Sequence, residues 1–254
     1  ANLHPKGLPI WPLLFITIAC GAISGFHSTQ SPIMARCIKS ERDGRKVFFG
    51  AMVCEGIIAL IWAAAGMTFY NGTAGLAAAL AAPSTKGQGG VVYDISIQML
   101  GHVGGVLAIL GVIFCPITSG DTAFRSARLT LADWFKIDQK KIPTRLSLAI
   151  PLLGIGAILS QVDFNIVWRY FAWSNQTLAM IVLWAAAMYL YLKKKNMWIA
   201  VVPATFMSAV SLTYILQAPE GFKLPISISY PSGIVFALAV LAFFLFVTRK
   251  KARA

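Results

Sequence analysis

Charge is scarce in this sequence, and negative charge is scarcest: charged residues make up 12% of the 254 positions, and only nine of them are Asp or Glu. With 57% hydrophobic residues and a mean hydropathy of +0.71, the chain has too little polar surface to cover a soluble domain of its size. A bilayer supplies the missing apolar solvent. Cysteine is also rare. Cys20, Cys37, Cys54 and Cys115 show neither CxxC nor Cys/His spacing, which argues against a disulfide framework or a zinc site and leaves them as packing residues. No catalytic triad, Walker loop, dinucleotide fingerprint or HExxH occurs, so the residues point away from an enzyme and toward a protein without a cofactor.

What the sequence has in abundance is long apolar runs. Seven lie near residues 10–35, 47–69, 102–123, 145–160, 166–192, 197–217 and 232–248, most of them near the roughly 20 residues a helix needs to cross hydrocarbon. They are continuous and rich in Ala, Leu, Ile, Gly and Met, whereas membrane strands would alternate over short segments. The expected fold class is all-α, a polytopic membrane protein with about seven transmembrane helices.

The net charge of +13 is distributed along the chain in a way that supports this. Five Lys and Arg lie in 36–46, six in 125–145, three in 193–195 and four in 249–253, which are alternate connections between runs. Elsewhere only Lys6, Lys86, Lys223 and Arg169 are basic. This is positive-inside asymmetry, and it predicts an outside N-terminus, a cytoplasmic C-terminus and an odd number of crossings. Nucleic-acid patches have no reason to alternate with spans, so the expected partner of the basic clusters is anionic lipid. Residue 1 is Ala and no signal region precedes the first run, so the chain is expected to continue upstream.

Three polar islands interrupt the runs. In the first, Gly21, Ser24, Gly25, His27, Ser28, Thr29, Gln30, Ser31 and Pro32 follow an apolar helix within twelve positions, and helix propensity falls sharply there. Gly21 and Gly25 form a GxxxG pattern that serves close helix packing, while His27 and Gln30 bring polar atoms that packing does not need. Unwinding in lipid is tolerated where protein or a water-filled cavity receives the freed backbone groups, and such breaks tend to surround a bound solute.

The second island is acidic. Glu55 lies within the second run with no basic residue in its own span, which suits either a proton relay or a protonated packing carboxyl. Asp121 has Thr118, Ser119 and Thr122 beside it and Arg125 four residues on, so an oxygen site for Na⁺ and a structural ion pair are both open. The third island, "WRYFAWSNQTLAM" at 168–180, places Ser174, Asn175 and Gln176 in sequence, and three consecutive side chains cannot share one helical face.

Taken in order and spacing, "FITIACGAISGFH", Glu55 in the following helix, "SGDTAFRSARLTLADW" and "WSNQTLA" resemble the carbon starvation (CstA) family of bacterial inner-membrane transporters. The resemblance implies uptake of peptides or pyruvate coupled to H⁺ or Na⁺, and a leucine-transporter-like fold of two inverted five-helix repeats. This chain looks like the C-terminal portion. Residues 1–192 would be the second repeat with a discontinuous first helix, and 193–254 two accessory transmembrane helices. Substrate would meet Gly21, Ser24, Gly25, His27, Ser28, Asn175 and Gln176. Ion or proton coupling would involve Glu55, Thr118, Ser119, Asp121 and Thr122, with Asp121 matching the acid of the family's Asp-x-x-x-Arg-Ser-x-Arg stretch. The implied partner is the N-terminal half of the same transporter. A non-transport membrane module, such as a sensor or complex subunit, is the competing class, and solute flux separates the two.

The charge pattern makes a topological prediction. Single cysteines introduced in 71–90 and 218–231 react with an impermeant thiol reagent applied from outside, and those in 37–45 and 133–141 do not; the reversed pattern would sink the orientation.

Overall fold

A computed structural model describes residues 10–18, 24–82, 87–162 and 164–253, and among these no strand occurs. The helices are α1 (Leu13–Thr17), α2 (Gly25–Ala35), α3 (Ala51–Phe69), α4 (Thr73–Ala81), α5 (Gly87–Trp134), α6 (Ile142–Leu159), α7 (Phe164–Leu192), α8 (Trp198–Gln217) and α9 (Ile226–Arg253). A 3₁₀ turn at Glu41–Asp43 and a π-helical segment at Arg45–Gly50 lead into α3. Six helical stretches are long and apolar enough to cross a membrane: Glu41–Phe69, Gly87–Trp134, Ile142–Leu159, Ile166–Leu192, Trp198–Gln217 and Ile226–Lys251. The protein is a multi-pass membrane protein.

Six such stretches among the described residues replace the seven expected. The difference lies in residues 10–35, which contain two helices, each too short to span: α1 has 5 residues and α2 has 11. Ser24, at the start of α2, is extended at φ −107° and ψ 127°. Gly21 and Cys20 lie outside the described residues. Cys37, Cys54 and Cys115 are free and exposed, so these three do not have the packing role their sequence setting implied.

The described residues form two compact units, one of 38–153 and one of 10–37 with 154–253. In the first, α3 exposes Ile57, Leu60, Ile61 and Trp62, and no residue of its most apolar stretch is buried. Exposure of this kind suits a hydrocarbon solvent. Residues 71–90, which the sequence presents as an outer loop, include the Ala-rich α4, whose composition favours helix. Gly101 breaks α5 with φ 70° and ψ −166°, a backbone conformation that glycine adopts freely. Beyond it the helix runs to Trp134, about 50 Å at 1.5 Å per residue, so it outlasts the hydrocarbon and carries its polar end past the apolar stretch.

The second unit is the better packed. Ala187, Ala200, Val201 and Phe244 form a core between α7, α8 and α9, with Trp184 and Leu241 against it. A smaller cluster of Ile16, Ala172, Tyr214 and Ala218 fixes α1 on α7 and α8. Small residues allow the close approach, as expected where lipid removes the hydrophobic drive between helices. Gly233 of α9 is one such close approach: a Cβ there would overlap Thr213 Oγ1 and lie 2.8 Å from the Ala209 carbonyl oxygen.

Two glycine replacements therefore diverge. Gly233→Leu overpacks the α8–α9 contact and lowers the Tm of the detergent-solubilised protein, at a cost of about 1–3 kcal/mol. Gly154→Ala, which meets nothing within 4 Å, raises it. Equal Tm values for the two would contradict the packing described.

Candidate functional site

The first and third polar islands meet in the second unit. Ser24 caps α2, its Oγ accepting from the Phe26 amide at 3.2 Å. Asn175 of α7 reaches the same point: its Oδ1 accepts from the Phe26 amide at 2.7 Å, and its Nδ2 donates to Ser24 Oγ at 3.0 Å. Ser24 Oγ also lies 3.3 Å from Asn175 Oδ1 as a donor. Both side chains are buried. The helix start is thereby clasped by a side chain 151 positions away. Gly25 permits the approach, since a Cβ would overlap the Asn175 carbonyl oxygen and lie 2.6 Å from Leu178 Cβ.

Further along α2 the hydroxyls turn inward to their own backbone. Ser28 donates to the Gly25 carbonyl at 2.5 Å, Thr29 to Phe26 at 2.8 Å and Ser31 to His27 at 2.5 Å. Such back-bonding satisfies polar atoms where water is absent. His27 is half-buried, and Gln30 Nε2 is buried without a protein acceptor.

On α7 the three consecutive polar residues do separate. Ser174 is exposed and Asn175 faces α2, while Gln176, 0% exposed, turns to α8, its Nε2 3.7 Å from Met207 Sδ. Gln176 Oε1 has no protein donor. Below it, Thr177 shares a 2.6 Å hydrogen bond with Ser211, and Trp184 Nε1 donates to Ser208 Oγ at 3.0 Å. Of the expected substrate residues, the structure thus joins Ser24, Gly25 and Asn175. His27 and Ser28 lie on the adjoining turn, Gln176 points elsewhere, and Gly21 is outside the described residues.

One cluster was not anticipated. Arg169 Nη1 lies 3.5 Å from Glu220 Oε2, whose other carboxylate oxygen accepts from Tyr214 OH, and Tyr170 OH donates to the Glu220 carbonyl at 2.7 Å. The signal available was arithmetic: Arg169 and Glu220 are isolated charges flanking the same acid-poor boundary.

In the first unit, Glu55 is exposed on α3. Asp121 Oδ2 accepts from Arg125 Nη2 at 2.6 Å, with the side chains 65% and 52% exposed. Thr118 Oγ1 donates to the Cys115 carbonyl at 2.9 Å and Thr122 Oγ1 to Thr118 at 2.9 Å, while Ser119 is exposed. Of the alternatives at this island, the ion pair is the one formed here. No group of His, Cys, Asp and Glu that could hold a metal occurs among the described residues.

Comparison with known proteins bears on this arrangement. The profile of the family described as carbon starvation protein CstA matches residues 4–87, which include α1, the Ser24 cap, α2 and Glu55. An uncharacterized protein of Haemophilus influenzae is 54% identical over 120 residues, 47% of this chain and 87% of that protein. The peptide transporter CstA of Escherichia coli is 26% identical over 277 residues, covering 81% of this chain. Residues 4–87 are a carbon starvation CstA segment, and the relatives support a CstA-family membrane protein. A further member-like relative, the pyruvate/proton symporter BtsT of Escherichia coli, is 30% identical over 124 residues, or 42% of this chain. The chain spans 40% of the peptide transporter's length and its match covers 17% of the symporter. No solved structure matches it.

The Ser24–Asn175 clasp yields a measurable coupling. Ser24→Ala and Asn175→Ala each destabilise the detergent-solubilised protein by about 1–3 kcal/mol, and the double variant costs less than their sum by about 0.5–3 kcal/mol. Strict additivity in a double-mutant cycle of unfolding would show that the two residues do not act together.

Proposed function

We propose that this chain is the C-terminal part of a secondary active transporter of the bacterial inner membrane, which takes up peptides or pyruvate by ion-coupled alternating access. The observation that carries the reading is the separate helix α2, whose start at extended Ser24 is held by Asn175 within a chain of long apolar helices. Breaks of this kind expose helix N-termini near the middle of inverted-repeat transporters, where the positive end of the dipole favours an anionic group. Peptides and pyruvate share such a group, a carboxylate.

On this reading Ser24, Gly25, His27, Ser28, Asn175 and Gln176, with Gly21, belong to the substrate-facing half of the site. Gln30 Nε2, buried and without an acceptor, is a further donor for solute or for the other half. Glu55 carries the coupling proton, or the Thr118, Ser119, Asp121 and Thr122 oxygens hold a cation after Arg125 lets go of Asp121. The remaining wall of the site comes from an N-terminal half, and the N-terminus of this segment lies outside with its C-terminus in the cytoplasm. The names and chemistry of the relatives support transport of small organic solutes.

Reconstitution tests the whole. The 254-residue chain alone in liposomes gives no gradient-driven uptake of pyruvate or short peptides, and co-expression with the N-terminal half of the family restores it. In the two-part protein, His27→Ala and Gly25→Leu lower uptake with insertion intact, and Glu55→Gln removes its pH dependence. Saturable, gradient-driven uptake by the isolated chain at the rate of the two-part complex overturns the half-site reading. Absence of flux from both preparations, with correct insertion, favours a non-transport membrane module.

A further inference from the structure

The end of α5, the turn after it and the start of α6 form a cleft of about 880 Å³, of whose lining the transport reading uses Asp121 and Arg125 alone. Gln139 organises it. Its Oε1 accepts from Arg128 Nη1 at 2.7 Å and its backbone carbonyl accepts from Arg145 Nε at 2.8 Å, so one residue of the turn brings together guanidinium groups from two helices. Gln139 Nε2 is buried with no acceptor in the protein. A third guanidinium, Arg125, lines the cleft together with Asp121.

Counting donors and acceptors defines the missing occupant. Asp121 is the carboxylate of the lining, and it is taken by Arg125 at 2.6 Å. Arg128 and Arg145 have no carboxylate within salt-bridge distance among the described residues, and each keeps most of its five N–H donors after its bond to Gln139. The cleft is therefore rich in donors, poor in free acceptors and positively charged. That chemistry fits a group with several anionic oxygens, which planar guanidinium forks hold better than a point charge can. The lining also has an apolar part, with Ile117, Phe124, Leu129 and Leu152. A free anion would leave this part wet, whereas an amphiphile would cover it.

We propose that this cleft binds the phosphate of an anionic phospholipid, with Arg128, Arg145 and Gln139 Nε2 on the phosphate oxygens and the glycerol and first acyl carbons against the apolar part. The lining runs from Pro116 and Ile117 of the apolar run to the basic residues at the end of α5, the change of polarity that a lipid has between its chains and its headgroup. It sits in the connection that carries six of the basic residues. In the orientation proposed above, this connection faces the cytoplasmic leaflet, where anionic lipid attracts basic residues.

The test uses the detergent-purified 254-residue chain and native mass spectrometry with phosphatidylglycerol, phosphatidylcholine and inorganic phosphate as separate probes. Phosphatidylglycerol is retained in preference to phosphatidylcholine. Arg128→Gln with Arg145→Gln weakens its binding by about fivefold per arginine removed. Lys193→Gln with Lys194→Gln, which removes equal charge from another basic connection, leaves binding unchanged. Circular dichroism checks each variant. Should the double variant lose helicity, Arg145→Gln alone carries the test, because that side chain is exposed. Equal weakening by the arginine and lysine pairs overturns the site in favour of diffuse surface charge. Displacement of the lipid by inorganic phosphate at equal concentration overturns the lipid as occupant and assigns the cleft to free phosphate.

Discussion

Hydrocarbon offers no partner to a backbone N–H or C=O, and every feature of this chain is arranged around that constraint. Within the long helices the ladder itself satisfies the backbone, and the hydroxyls of Ser28, Thr29, Ser31, Thr118 and Thr122 return to carbonyls of their own turns. At the start of α2 the ladder cannot do so. There the Phe26 amide takes Ser24 Oγ and Asn175 Oδ1 instead. A helix can begin at this place only because another helix supplies an amide side chain to meet it. Gly25 is then obligatory for steric reasons, since the partner backbone lies too close for a side chain.

The same constraint explains why the second unit holds together with small residues and polar pairs. Lipid tails compete on equal terms for apolar side chains, so association depends on close contact and hydrogen bonds. Ala187 and Ala204 are fully buried, and Thr177–Ser211 and Trp184–Ser208 bind α7 to α8. At the far end of α7, Tyr191 OH donates to the Thr248 carbonyl of α9 at 2.6 Å. The exposed apolar side chains of α3, such as Ile57, Leu60 and Ile61, suit contact with hydrocarbon or with another apolar surface.

Much of this was legible in the residues. Continuous apolar runs marked the spans, since a helix that must be apolar on every face leaves a signal that no loop imitates. The argument that Ser174, Asn175 and Gln176 cannot share a face also describes what they do, with one exposed, one turned to α2 and one to α8. The pairing of Asn175 with Ser24 was not legible, because hydrogen-bond partners 151 positions apart leave no local pattern. The break in α5 at Gly101 falls where the third apolar run begins, at 102, whereas the helical stretch before it, from Gly87, is too short and polar to read as a span. Glu220 escaped as the Asn175 pairing did. A single acid in a short connection acquires meaning only when Arg169 and Tyr214 are seen beside it.

These bonds are distributed unevenly along α7, and the distribution bears on how a transporter built from this unit would move. Polar pairs tie α7 to α8 and α9 at several levels, from Arg169–Glu220 beside Tyr214, through Thr177–Ser211 and Trp184–Ser208, to Tyr191–Thr248. The Ser24 and Phe26 bonds to Asn175 attach the start of α2 to α7. Separating α7 from α8 would break several hydrogen bonds in a medium that offers no replacements. Releasing the start of α2 would break the clasp at Asn175, where water or a solute carboxylate could take over the freed Phe26 amide. On the transport reading proposed above, the ties along α7 make α7, α8 and α9 the rigid bundle, and Gly25, whose missing side chain permits the α2 contact, lets that contact re-form after release.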